Sequence, residues 1–191
     1  MLYVNQLNYP YIKYITKTDK GGANSTVRSS GCGLCSSIMV CDYLTGKSPS
    51  VTEAVQLSYD SKGNHSNGTD MKFYAPAFAE KYNLDYRPTN NSEELKAHLA
   101  AGGAAILHIG GNYEGHIGVF SHGGHYVAAI GINGNELCIL DPSYKQGKYD
   151  EVGHIGKVRI EYPYLYCDIS VIIADTANRN PHYHLFSVKA E

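Results

Sequence analysis

After Gly33, the apolar residues Leu34, Ile38, Met39, Cys41 and Leu44 recur close to helical spacing. The pattern predicts a helix that begins near Cys32 and ends at Thr45-Gly46, where glycine suits a left-handed C′ position. Ser50 with Glu53 has capping-box spacing and opens a second helix through about Tyr59, followed by a loop rich in Ser, Gly and Asn from Asp60 to Asp70. Phe73, Ala77, Phe78 and Tyr82 give a third helix, with Pro76 kinking or starting it and Asn83 as a left-handed stop. Asn91 with Glu94 opens a fourth helix through Ala101, ending at Gly102-Gly103.

From there the period changes. Ala104 to Ile109 is a continuous apolar run that reads as a buried strand, and His125 to Ile132 and Glu136 to Leu140 form a hairpin around Asn133-Gly134-Asn135. Val158 to Tyr162, Ser170 to Ala174 and Leu185 to Val188 read as further strands, and a strand near Val27 delivers the chain to Gly31. Lys17 to Ser25 is a polar turn. Helices first and an antiparallel sheet after define an α+β arrangement. At 191 residues the chain is expected to form a single domain over 1–191, with a helical lobe 1–103 and a mainly β lobe 104–191.

Composition narrows the chemistry. With 43% hydrophobic residues, a net charge of −2 and scattered Lys and Arg, the chain is expected to be an ordinary soluble protein that does not bind nucleic acid. No run reaches transmembrane length, and Met1 is not followed by a signal-peptide pattern. The compartment is left open between the cytoplasm and export as part of a longer protein. Five irregularly spaced cysteines do not form a disulfide framework, and Cys41, Cys138 and Cys167 lie in apolar runs as small hydrophobes. Seventeen tyrosines and no tryptophan suit half-wet strands.

Two stretches carry candidate chemistry. Cys32 sits at the positive end of the first predicted helix, where unpaired N–H groups favour a thiolate. His125 at the start of one hairpin strand and Asp141 at the end of its partner come close in space, an arrangement that orients an imidazole through its second nitrogen.

The run Gly31-Cys32-Gly33-x-x-Ser36-x-x-Met39, with Gly123-Gly124-His125-Tyr126-Val127 and Asp141-Pro142 far downstream, resembles the C39-like branch of the papain-like cysteine peptidases, relatives of the bacterial domains that remove double-glycine leaders. The resemblance implies a papain-like α+β fold with the thiol on the helical lobe and the histidine on the β lobe. It implies a peptidase without cofactor or metal, acting on a peptide or protein, a peptidoglycan peptide included. It assigns Cys32 as nucleophile, His125 as base, Asp141 as the group orienting it, and Gln6 as an oxyanion donor. The chain departs from the commoner family pattern by having Leu34-Cys35 in place of Pro-Thr, and by the long gap from Gln6 to Cys32.

Other readings compete for the same residues. Cys32-Gly33-Leu34-Cys35 is a C-x-x-C, as in thiol–disulfide redox proteins, but Ser30-Gly31 stands where an aromatic would precede it and the His125–Asp141 hairpin is left without a purpose. Papain-type enzymes use the later cysteine of such a motif before an aromatic; Ser36 stands there, which favours Cys32 and keeps Cys35 as the alternative. A non-catalytic peptide-binding module is the third reading. His116, His122 and His125 would allow zinc, yet the surrounding glycines break any helix that could space them as ligands. His65, His154, His182 and His184 read as exposed, and Gly110 to Gly124 as a cleft-rim loop.

Overall fold

A computed structural model describes residues 1–17, 22 and 25–189; the polar turn read over Lys17 to Ser25 falls mostly outside them. The helices are α1 (Val27–Ser30), α2 (Cys32–Thr45), α3 (Val51–Asp60), α4 (Met71–Lys81), α5 (Ser92–Ala100) and α6 (Ile169–Thr176). The strands are β1 (Leu84–Thr89), β2 (Ala104–Ile109), β3 (His125–Asn133), β4 (Glu136–Leu140), β5 (Arg159–Glu161), β6 (Tyr164–Asp168) and β7 (Tyr183–Val188). All pair antiparallel in one sheet of order β1-β7-β2-β3-β4-β6-β5, the α+β architecture expected from the hydrophobic pattern.

The sheet is covered on both faces, which is why β2 reads as an unbroken apolar run. Ala104 and Ile106 pack toward α2, whereas Ala105, Leu107 and Ile109 join the core beneath α5 and α6. Helix α2 is buried along Gly33 to Cys41 between the sheet, α3 and α4. A helix enclosed in this way needs apolar or small residues on every side, and it ends as expected at Gly46 with φ of 70°. The capping box Ser50–Glu53 is formed, and Asn91 accepts hydrogen bonds from the N–H groups of Glu93 and Glu94.

Three expectations are corrected and one open reading is decided. Near Val27 only Thr26 is extended, bridging to Lys13; Ser29 accepts a hydrogen bond from the Thr26 N–H, and the chain turns into α1. Ser170 to Ala174 is helical: Asp168 caps α6 by accepting from the Ser170 N–H at 2.8 Å, and Ile169, Ile172 and Thr176 bury one face at helical spacing. Of the two places left open for Pro76, the structure has the one inside the helix, since the N-cap of α4 is Asp70. The first part of the chain also contributes β1, an edge strand that carries Pro88, and β1 pairs with the last strand β7.

Helix α1 runs almost directly into α2 through Gly31, whose N–H bonds to the Val27 carbonyl at 2.8 Å. A Cβ on Gly31 would stand 2.5 Å from Val27 Cγ1 and 2.6 Å from its carbonyl oxygen. One on Gly33 would stand 2.7 Å from Thr69 Cβ. These glycines let the start of α2 approach both the preceding turn and the loop before α4. Gly31→Ala is therefore expected to destabilise the fold by about 1–3 kcal/mol, the usual range for overpacking, read as a lower urea midpoint with unchanged slope.

Candidate active site

The packing of α2 on β3 brings the first residue of the helix to the first residue of the strand. Ser36 donates from its hydroxyl to the Tyr126 carbonyl at 3.2 Å, pinning the two elements one helical turn below Cys32. Across the hairpin Ala128 pairs with Leu140, so the residue after β4, Asp141, lies beside His125. His125 Nε2 meets Asp141 Oδ1 at 2.8 Å. The imidazole also interacts with the half-buried Cys32 thiol, and with Nε2 on Asp141 it is Nδ1 that is left for that side. The structure thus brings together three of the four residues selected from the sequence.

Asp141 has no exposed surface and collects donors on both oxygens. Besides His125, Oδ1 accepts from the Ser143 N–H at 2.8 Å and its hydroxyl at 3.1 Å. Oδ2 accepts from Lys148 Nζ at 2.5 Å and from the Tyr149 hydroxyl at 2.7 Å. Lys148 also donates to Ser143 Oγ at 2.7 Å. Sequence reading missed Ser143, Lys148 and Tyr149; their closeness behind Asp141-Pro142 was the only signal. Burial alone would raise the Asp141 pKa, but the charges of Lys148 and His125 and their hydrogen bonds outweigh it and hold the carboxyl well below the usual range.

The thiol and imidazole shift each other. Burial opposes the Cys32 thiolate, yet the hydrogen bond and charge of His125, with N–H groups of Tyr126 and Gly33 directed at the sulfur, bring its pKa down. Burial likewise opposes the imidazolium, and Asp141 with Cys32 overcomes it, raising His125 to about 9. A lowered thiol beside a raised imidazole shifts the proton from sulfur toward nitrogen, the direction of a thiolate–imidazolium pair. Burial pushes the thiols of Cys35, Cys41, Cys138 and Cys167 upward.

Gln6 reaches the same region by another route. Its backbone N–H donates to the Pro142 carbonyl at 2.7 Å, and its side-chain amide donates to the Arg28 carbonyl at 2.8 Å. Asn5 donates to the Tyr144 carbonyl and the Tyr3 hydroxyl to the Asp141 carbonyl. The segment Tyr3 to Gln6 therefore straps the turn after β4 to the chain entering α2, which accounts for the long gap to Cys32. Gln6 Oε1 is buried with no partner.

Cys32 opens into a cleft of about 400 Å³ whose walls are Ser66 to Asp70 on one side and His108, Gly124, Tyr126 and Arg179 on the other. Of the Gly110 to Gly124 segment, expected at the rim, only Gly124 lines this cleft. The buried Asp175 carboxylate holds the rest, accepting from the N–H groups of Val119 and Phe120 and meeting His116 Nε2 at 2.8 Å. The three histidines considered for zinc are thus parted, His116 to Asp175 and His125 to Asp141. His122 lies near Glu151 and His154, with donor atoms within 4.8 Å of one another. Both nitrogens of His154 face carbonyls, Lys148 O at 3.1 Å and Gly118 O at 2.9 Å, so this imidazole already braces the chain. His154 and His184 are buried rather than exposed.

The chain belongs to the Peptidase_C39 like family, whose description it matches over residues 3–168. Among solved structures it is similar to the peptidase domain of Streptococcus ComA, a bi-functional ABC transporter involved in a quorum-sensing pathway: 16% identity, TM-score 0.54, covering 94% of this chain and 100% of that one. It is also similar to a protein from Bacillus anthracis described as a C39-like peptidase, at 13% identity and TM-score 0.55, covering 95% and 97% of the two chains. At such identities these likenesses establish the fold. No curated protein matches. Among the described residues no helix is long and apolar enough to cross a membrane.

Four outcomes follow from the electrostatics. Iodoacetamide should label Cys32 alone among the cysteines below pH 8, because its thiolate persists from its lowered pKa upward while the other thiols are raised. His125→Ala leaves burial opposed only by the N–H groups of Tyr126 and Gly33, raises the Cys32 pKa and should slow labelling at pH 6.5 by about tenfold, one decade per pKa unit. Lys148→Met removes the cation that offsets Asp141, so the carboxylate acts more strongly on the imidazolium. In a histidine NMR titration the His125 pKa should then move upward from about 9. Breaking this buried pair should also cost about 3 kcal/mol in urea unfolding.

Proposed function

We propose that this protein is a cysteine peptidase that hydrolyses a peptide or amide bond through an acyl-enzyme, with Cys32 as nucleophile, His125 as acid and base, and Asp141 orienting the imidazole. The observation that carries this reading is the placement of His125 between Asp141, which it meets at 2.8 Å, and the Cys32 thiol at the wall of an open cleft. Family membership supports a peptide substrate.

In this mechanism the Cys32 thiolate adds to the carbonyl carbon and negative charge moves onto the oxygen. The Cys32 backbone N–H at the start of α2 holds that oxyanion together with the Gln6 amide, which has a second N–H beyond the one on Arg28. His125 gives its proton to the leaving amine as the tetrahedral adduct collapses to a thioester. The neutral imidazole then takes a proton from water, the resulting hydroxide attacks the thioester, and the acid product leaves as the ion pair returns. Asp141 keeps the ring turned so that Nδ1 faces sulfur throughout.

The test is hydrolysis of an unbiased peptide mixture followed by mass spectrometry, which assumes no substrate. The wild-type chain should generate new termini and Cys32→Ala none while retaining its thermal unfolding transition; turnover in that variant would remove Cys32 from the mechanism. On any peptide so found, Gln6→Ala should lower kcat by about 10²–10³, and an unchanged kcat would move the oxyanion role elsewhere.

A further inference from the structure

The proposed reaction leaves one nucleophilic group beside its own nucleophile unused. Cys32 is the first residue of α2 and Cys35 the fourth. In helical geometry residues three apart place their Cα atoms about 5 Å from each other, inside the roughly 4.4–6.8 Å that a disulfide spans. The later side chain tilts back over the turn that holds the earlier one. Both cysteines are free thiols, and their environments differ: Cys32 is half-buried at the cleft wall, whereas Cys35 has no exposed surface. An oxidant in the cleft therefore meets Cys32 first.

We propose that Cys35 is a resolving cysteine, which closes a reversible disulfide with Cys32 when the protein meets a peroxide and so keeps the nucleophile from irreversible oxidation. The inference rests on the reading of Cys32 as an activated thiolate. In the first step the thiolate attacks one peroxide oxygen and the O–O bond breaks. The departing hydroxide takes the proton of the His125 imidazolium and leaves as water, so sulfur is oxidised by two electrons to a sulfenic acid and the peroxide is reduced. In the second step Cys35 sulfur attacks Cys32 sulfur, the S–S bond forms and the S–O bond breaks. The hydroxide leaves as a second water with the proton that Cys35 gives up, relayed by the now neutral His125. The balance is two cysteines and one peroxide giving one disulfide and two waters. A small dithiol returns both cysteines by exchange. Without Cys35 the sulfenic acid would meet further peroxide and pass to sulfinic acid, from which a dithiol does not recover it.

The experiment uses the full reduced chain and hydrogen peroxide, with free thiols then blocked by N-ethylmaleimide and the peptides read by tandem mass spectrometry. A parallel sample is treated with dithiothreitol and relabelled with iodoacetamide. The expected result is an internal Cys32–Cys35 disulfide in the wild-type chain, with Cys32 labelling restored by dithiothreitol. In Cys35→Ser and Cys35→Ala, Cys32 should accumulate as sulfinic or sulfonic acid and labelling should stay lost. The wild-type mapping alone decides the matter if either variant fails to fold. Sulfinic acid at wild-type Cys32 with Cys35 still a thiol, or a Cys32 bond to a different cysteine, overturns the proposal and leaves the peptidase reading standing. Slow labelling of untreated Cys32 at pH 6.5 overturns the thiolate reading and this proposal with it.

Discussion

Asp141 is a carboxylate with no exposed surface, and much of the described structure around the cleft is arranged to keep it ionised. A buried charge without partners is costly enough to neutralise itself, so donors must converge on it. They come from the hairpin through His125, from the following turn through Ser143, and from the next loop through Lys148 and Tyr149. That loop is braced in turn by His154, whose ring sits between the carbonyls of Lys148 and Gly118. The N-terminal segment closes the assembly by donating from Tyr3 to the Asp141 carbonyl and from Gln6 to Pro142. Satisfying one carboxylate thus joins four separate segments into the rigid support that an imidazole needs if it is to face sulfur with a fixed nitrogen.

The thiol is held by the opposite principle. Helix α2 brings almost no charge; it is an apolar rod enclosed by sheet and helices, and its burial, not its own polarity, fixes where Cys32 stands. Small residues at its start serve that placement. Gly31 and Gly33 permit contacts a Cβ would block, and Ser37 satisfies its hydroxyl within the core against the Leu34 carbonyl and Tyr74. The reactive pair is therefore assembled from a polar, densely hydrogen-bonded strand end and a dry helix end, each rigid for a different reason.

This division explains what could be read from the sequence. The helix, its glycine stop, both capping signals, the hairpin and the pairing of His125 with Asp141 all rest on local patterns of spacing and turn chemistry, and all are present. The misread elements are those where composition and context disagree. The β-branched run Val171-Ile172-Ile173 favours a strand, but a capping Asp168 and a buried helical face decide for α6. Pro88 hides β1, because a strand that lacks an N–H fits only an edge. Lys148 and Tyr149 were out of reach for a different reason: their role depends on a loop folding back onto one carboxylate oxygen, and no period or spacing encodes that return.

Among the histidines of the cleft, positive charge is then confined to one end. Beyond Cys32 a second cavity of about 370 Å³ continues past His108 and Tyr126 to Tyr86 and His184. These four side chains come from adjacent strands of the sheet; His108 stacks on Tyr126 at 4.6 Å, and the Tyr86 hydroxyl meets His184 Nδ1 at 2.9 Å. Burial, helped by Arg179, lowers His108 to about 4, and burial with His108 lowers His184 to about 3. His125 moves the other way, to about 9, because it alone of the three has a carboxylate behind it and a thiol in front. Across the intervening pH range His108 and His184 are neutral while the sole imidazolium of this trio faces sulfur, and the charges of Asp70 and Lys72 stand at the edge of the second cavity. Three histidines with one intrinsic pKa are thus sorted by burial and partners alone. The neutral rings and the imidazolium thus occupy different parts of one continuous surface, a separation that lets the contacts along the cleft and the charge beside the thiol be adjusted by different residues.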